Sequence, residues 1–135
     1  MSWSPPSSLA SFEEVWREWL PAIHDGSDLH LVIRMRESGL CIGIAGLHAL
    51  LTRRPELGIW LREDMHGLGI GSEVIGAVVG WASMNFDVES FEYPVAEENT
   101  ASRRIAERYG GKVMERRTNP KYRAVVYHIP ARRCI

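Results

Sequence analysis

The sequence predicts an α/β domain (α+β, mixed sheet), in which a central mixed, mostly antiparallel sheet is flanked by helices. Three observations carry that expectation. Apolar segments of strand length alternate with stretches of helical spacing, in the order helix, three strands, helix, strand, helix, two strands. The strand, helix and strand between 56 and 95 have the form of a right-handed crossover joining two neighbouring strands. A length of 135 residues, 45% of them hydrophobic, suffices for a single core, so 1–135 is read as one domain.

Each element has a local reason. The Pro- and Ser-rich start, SWSPPSSLA, is an extended lead-in, and Ser11 followed by Glu14 has the form of a capping box. The helix it opens carries Phe12, Val15, Trp16 and Trp19 on one stripe and stops at Pro21. HDGSD is a turn, and LHLVIRMRESGLCIGIAGLHALL reads as two strands around Glu37, Ser38 and Gly39, an antiparallel hairpin. The basic turn TRRP leads into the short strand ELGIWL, 56–61. Ile70, Val74, Val78 and Trp81, with Ile75 and Ala82 beside them, recur at three- and four-residue steps and predict a helix over about 69–85 with one face in the core. SFEYPV is the next strand, AEEN an acidic turn, and TASRRIAERY a helix stopped by Gly110 and Gly111. Two closing strands, about 112–117 and 123–129, join through a turn containing Asn119 and Pro120.

A formal net charge of −1, with 24% charged residues, leaves no basic field to draw the chain onto nucleic acid. No apolar run approaches the ~20 residues of a membrane span. The N-terminus lacks the basic-then-apolar order of a signal peptide, so no membrane partner and a cytoplasmic location are expected. The two cysteines, Cys41 and Cys134, do not form a disulfide framework, and Cys41, inside an apolar run, is expected to be a small buried hydrophobe. His24, His30, His48, His66 and His128 show neither the close spacing nor the cysteine company of a zinc site, so no metal is expected.

The sharpest local signal is HGLGIG, in which Gly67, Gly69 and Gly71 stand at the mouth of the helix over 69–85. A P-loop needs Gly-Lys-Ser/Thr, and here Ser72 and Glu73 follow Gly71 with no lysine. A dinucleotide fingerprint needs a further glycine three residues after the second of its pair, where Val74 stands. What remains is the affinity of unpaired helix N-terminal amides for anions, with glycines that let a phosphate come close. On the glycines alone, a phosphate cradle and a turn without a ligand are equally good readings.

Three motifs in order bear on the choice. HGLGIG resembles the Gln/Arg-x-x-Gly-x-Gly/Ala pyrophosphate loop of the GNAT superfamily of N-acetyltransferases, with His66 in the Gln/Arg place. ELGIWL resembles that family's central strand, and ENTASRRIAERYGG is similar to the Asn-x-x-Ser signature of the ribosomal-protein N-acetyltransferase-like subgroup. The likeness runs from about Ser11 to the C-terminus. It implies a transferase that moves acetyl from acetyl-CoA to a primary amine, either a protein N-terminus or a small-molecule amine. In that fold the strands before and after the glycine-led helix part to admit the cofactor. Pro94, inside SFEYPV, cannot donate a ladder hydrogen bond. It either sits where the strand has lost its neighbour or ends the strand, and both readings stand.

The same resemblance assigns roles. A primary amine with a pKa near ~10 is mostly protonated at neutral pH and needs a base, directly or through water. Glu56, at the start of the central strand, matches the family's usual place for it, with Glu97 and Glu98 as weaker candidates. The family's tyrosine acid has Ala106 at its position, and Tyr109 is expected to pack against the sheet. Ser102 is therefore the expected hydrogen-bond donor to the departing thiolate, and Asn99 the cap that holds the pantetheine arm. The main chain of Ile59, Trp60 and Leu61 would pair with pantetheine, while His66, Gly67, Leu68, Gly69, Ile70, Gly71 and Ser72 would form the pyrophosphate loop. Arg103 and Arg104 could reach the adenosine phosphate. Relatives begin with a further strand and helix that are expected to be missing here; the resemblance then implies an N-terminally shortened fold, an exposed sheet edge, a possible homodimer, and a second reading as a CoA-binding or oligomerising module without turnover.

Overall fold

The β-branched and aliphatic segments of the sequence form six strands in one sheet. The computed structural model describes Pro21, residues 26–118 and residues 120–132. The helix expected over 11–20 lies outside the described residues, as does Asn119 of the last turn. The strands are β1 (Leu29–Arg34), β2 (Cys41–His48), β3 (Glu56–Leu61), β4 (Ser90–Ala96), β5 (Lys112–Thr118) and β6 (Arg123–Pro130). Helix α1 (Ile70–Asn85) connects β3 to β4, and α2 (Thr100–Arg108) connects β4 to β5. The spatial order is β1-β2-β3-β4-β6-β5, with β3 and β4 parallel and every other neighbouring pair antiparallel. This is the mixed, mostly antiparallel sheet that the element order predicts.

Side-chain alternation divides the sheet into two faces. Leu47, Leu57, Phe91, Tyr93, Val95, Val125, Tyr127 and Ile129 point to the helical side and meet Ile75, Val78, Val79 and Ala82 of α1 and Ala106 of α2. Each large aliphatic or aromatic side chain so buried contributes about 1.5–3 kcal/mol relative to exposure. The opposite parity carries His48, Glu56, Glu92 and His128, which the register brings side by side: His48↔Glu56, Glu56↔Glu92 and Glu92↔His128.

Two local expectations need correction, and a third residue does more than expected. The buried arc of α1 is Gly71, Ile75, Val78, Val79, Ala82 and Ser83. At 100° per residue Trp81 lies about 120° from the centre of that arc; it is 46% exposed and stacks edge-on against Phe86 at 5.7 Å. Cys41 is exposed, because it is the first residue of β2 and sits beside the hairpin loop rather than inside the strand. Tyr109 packs against the core cluster and is also tied to α1: its hydroxyl donates to the Ser72 carbonyl at 2.7 Å, over Gly76, where a Cβ would collide with that hydroxyl.

Candidate active site

The site begins where two parallel strands separate. Along β2 and β3 the ladder is continuous from His48↔Glu56 to Gly43↔Leu61, and along β4 and β6 it runs from Ser90↔Pro130 to Ala96↔Ala124. Between β3 and β4 only Glu56↔Glu92 is in register. Beyond it the strands part toward their carboxyl ends, and the facing main-chain groups have no ladder. Glu92 N–H donates to the Pro55 carbonyl at 2.9 Å, so the nitrogens of even-numbered residues in β4 face β3. Pro94 therefore turns its hydrogen-free nitrogen into the gap, and β4 continues past it to Ala96. The proline sits at a lost neighbour; it does not end the strand.

The same parity sorts the main chain of β3. Pro55 O faces β4 and Arg62 N–H bonds Ile42 O at 2.8 Å in β2, so Ile59 and Leu61 present their amides to the gap. Trp60 turns its main chain into the β2 ladder opposite Ile44. What it can offer a ligand is its side chain, which lines a concave space at the end of β3 with Arg62, Glu63 and Asp64.

Both parting strands lead to helix N-termini. Gly67 and Gly69 have φ of +76° and +78°, a left-handed conformation that L side chains rarely adopt, and Gly69 caps α1. The first intrahelical bond is Glu73 N–H to Gly69 O, so the amides of Ile70, Gly71 and Ser72 lie ahead of the helical ladder. An added Cβ at Gly67 or Gly69 would meet nothing within 4 Å, which leaves open space for an anion over the loop. His66, in the Gln/Arg place, folds back: its Nε2 donates to Leu61 O at 3.0 Å and ties the loop to β3. Leu68 is 65% exposed at the loop tip. Gly71 lets the first turn of α1 approach the side chains of Ile105 in α2 and Leu61 in β3.

At the start of α2, Asn99 is the N-cap, and its Oδ1 accepts from Ser102 N–H at 3.2 Å. The Ser102 side chain hydrogen-bonds Tyr93, a residue that sequence reasoning had not singled out. Tyr93 is buried in β4, and burial raises its hydroxyl above the usual tyrosine value, with the Ser102 bond acting the other way. Of the two arginines, Arg103 is committed to the fold: Nε donates to Tyr127 Oη at 3.0 Å and a terminal nitrogen to Glu97 O at 3.1 Å. Arg104 is exposed on α2.

Glu56 stands at the closed end of the gap, half-buried, in a row with Glu92 and His128. His128 Nε2 lies 3.9 Å from Glu92 Oε1. Arg117 of β5, opposite Ala124, lies within reach of the same carboxylates: the Glu115 hydrogen bond raises its pKa most, burial opposes it, and the charges of Glu115, Glu56 and Glu92 add to the rise. Glu97 pairs with Arg116 at 3.3 Å and Glu98 is exposed, so neither joins this row. The signal that could have found the row is the shared strand parity of Glu56, Glu92 and His128, which becomes a contact only once register is known.

A sheet opened between parallel strands, each leading into a helix N-terminus, with a carboxylate at the closed end, offers a cleft whose main chain suits an extended, anionic ligand. The chain belongs to the GNAT acetyltransferases: residues 1–112 match the family described as "Acetyltransferase (GNAT) domain". No curated protein sequence matches the chain. Among solved structures it is similar to RimL, the ribosomal L7/L12 alpha-N-protein acetyltransferase, in complex with coenzyme A (TM-score 0.81, 17% identity, 92% of this chain and 73% of that one). It is also similar to spermidine N-acetyltransferase from Vibrio cholerae with CoA and spermine (TM-score 0.78, 19% identity, 96% and 79%). A dodecameric structure of the Vibrio cholerae enzyme matches with a TM-score of 0.76, 19% identity, and 95% and 77% coverage.

Proposed function

We propose that this protein transfers acetyl from acetyl-CoA to a primary amine at the parting of β3 and β4. The observation that carries the reading is the loss of β3–β4 pairing beyond Glu56↔Glu92, with the glycine-capped start of α1 at its mouth. Acetyl-CoA supplies an activated acyl group with a thiolate leaving group. The residues on either side of the gap fit such a cosubstrate. The amides of Ile59 and Leu61 replace a missing strand for the pantetheine arm, and those of Gly67, Gly69, Ile70, Gly71 and Ser72 meet the pyrophosphate. His66 and Leu68 shape the loop, Asn99 caps α2 beside the arm, and Arg104 reaches the adenosine phosphate.

Glu56 accepts the proton of the ammonium acceptor, directly or through water. Ser102 donates a hydrogen bond to the departing thiolate, with the protonated Tyr93 hydroxyl behind it. The carboxylates of Glu56 and Glu92 suit a cationic acceptor. That agrees with similar structures named for a polyamine and for a protein α-amine, and a cytoplasmic setting is part of the same proposal.

The test is a thermal-shift and thiol-release panel with acetyl-CoA and peptides, polyamines or aminoglycosides. Stabilisation by CoA together with acceptor-dependent thiol release is expected. Indifference to CoA overturns the reading. Stabilisation without release from any amine would favour a CoA-binding module.

A further inference from the structure

We propose that Asp28, His30 and His48 form a zinc-binding site at the open end of the β1–β2 hairpin, independent of the acetyl-transfer reading. One donor atom from each of the three lies within 4.8 Å of the others. The hairpin register builds the cluster. Leu29 pairs with Leu47 and His30 with Gly46, so His30 and His48 share a face, and Gly46, opposite His30, has no side chain between them. The two imidazoles meet edge-on with centroids 5.4 Å apart. Asp28, one residue before β1, has its carboxylate oriented: Oδ1 accepts from Ala49 N–H at 3.2 Å and Oδ2 lies 3.0 Å from His48 Nδ1. Such an outer bond to a ligating carboxylate fixes its direction toward a metal.

All three residues are half-buried, which limits competing water without closing the site. Two imidazoles and one carboxylate with an open fourth position match three-ligand zinc sites, and imidazole favours zinc over magnesium or calcium. Zinc bonds of about 2.0–2.2 Å in tetrahedral geometry hold donors about 3.4 Å apart. The Asp28–His48 contact opens by about 0.4 Å and the widest separation closes by at most about 1.4 Å, shifts within reach of small χ rotations. An Asp–His ion pair alone requires one histidine. The second imidazole, from the neighbouring strand, brings a third donor within the same 4.8 Å.

Zinc titration of the untagged full-length chain by calorimetry tests the site, with Co2+ absorption reporting coordination geometry. One zinc per chain is expected with a Kd of about 1 µM or tighter. His30→Gln and His48→Gln should each weaken it about 10–100-fold while circular dichroism stays native. Co2+ should give the intense visible bands of four-coordination. The proposal is overturned by no saturable zinc binding below about 100 µM, or by unchanged affinity in both histidine variants, which would place the ion elsewhere. If a variant fails to fold, the wild-type Co2+ spectrum decides, and a weak six-coordinate spectrum counts against the site.

Discussion

Gly76 and Gly80 lie one turn apart in α1, yet the structure assigns opposite signs to the same substitution. In a helix interior, Gly→Ala gains about 0.8–1.0 kcal/mol from backbone entropy. At Gly80 an added Cβ meets nothing within 4 Å, so the gain should appear in full. At Gly76 it collides with the Tyr109 hydroxyl and stands 2.9 Å from Cζ and 3.2 Å from Cε1. Tyr109 cannot yield without loss, because its hydroxyl donates to Ser72 O and Arg132 lies 5.9 Å from its ring centroid. Overpacking costs about 1–3 kcal/mol and the hydrogen bond about 0.5–1.5 kcal/mol. After the helix gain, Gly76→Ala should destabilise by about 0.5–3.5 kcal/mol. Urea denaturation followed by circular dichroism measures both variants, with Tyr109→Phe and the double mutant closing the cycle. Tyr109→Phe removes the nearest colliding atom, so in that background Gly76→Ala should cost less by at least about 0.5 kcal/mol. Stabilisation by Gly76→Ala equal to that of Gly80→Ala, or strict additivity in the cycle, would refute the packing argument. Ser72 belongs to the first turn of α1, so the destabilising variant should also reduce the thermal shift produced by CoA.

Glu56→Gln should lower acceptor-dependent thiol release about 10²–10⁴-fold while CoA still stabilises the protein; loss of that stabilisation would move Glu56 out of the base role. Ser102→Ala should slow turnover by at least about tenfold with acetyl-CoA binding retained, and an unchanged single-turnover rate would remove Ser102 from leaving-group stabilisation. Asn99→Ala should cost about 1 kcal/mol in urea denaturation through loss of the bond to Ser102 N–H. Tyr93 has a folded-state pKa raised by burial, so its contribution to stability is complete below about pH 10 and is lost as pH rises through the folded value. Tyr93→Phe should flatten that alkaline decline relative to the parent, as read from denaturation midpoints, and parallel curves would contradict the assignment.

The element order was legible because period and length separate strands from helices here. ELGIWL is too short for a helix, and the three- and four-residue steps after Gly69 are too regular for a strand. Phase was less legible than period. A face centred on Val78 explains both Ile75 and Ala82, but only packing against Phe91 and Tyr93 decides whether Trp81 falls inside the arc or on its exposed border. Cys41 failed for a related reason: the apolar run that contains it does not show where the hairpin loop stops. The contact of Tyr109 with Gly76, thirty-three residues away, is one that no local pattern encodes.

The cofactor side and the acceptor side of the cleft differed in legibility for a physical reason. Phosphate recognition by a helix start depends on local backbone geometry, and Gly67 and Gly69 write that geometry into adjacent positions of the chain. The acceptor side is a row across strands, Glu56–Glu92–His128, and each step needs a register that long-range packing alone sets. Asp28 and His30 follow the same rule with His48: eighteen residues separate the two histidines, which converge because Leu29 pairs with Leu47. Spacing rules for metal ligands work on a helix or a tight loop, where neighbours in sequence are neighbours in space. On a hairpin the informative spacing is the distance from the turn on each strand, and there His30 and His48 fall on the same side of the sheet.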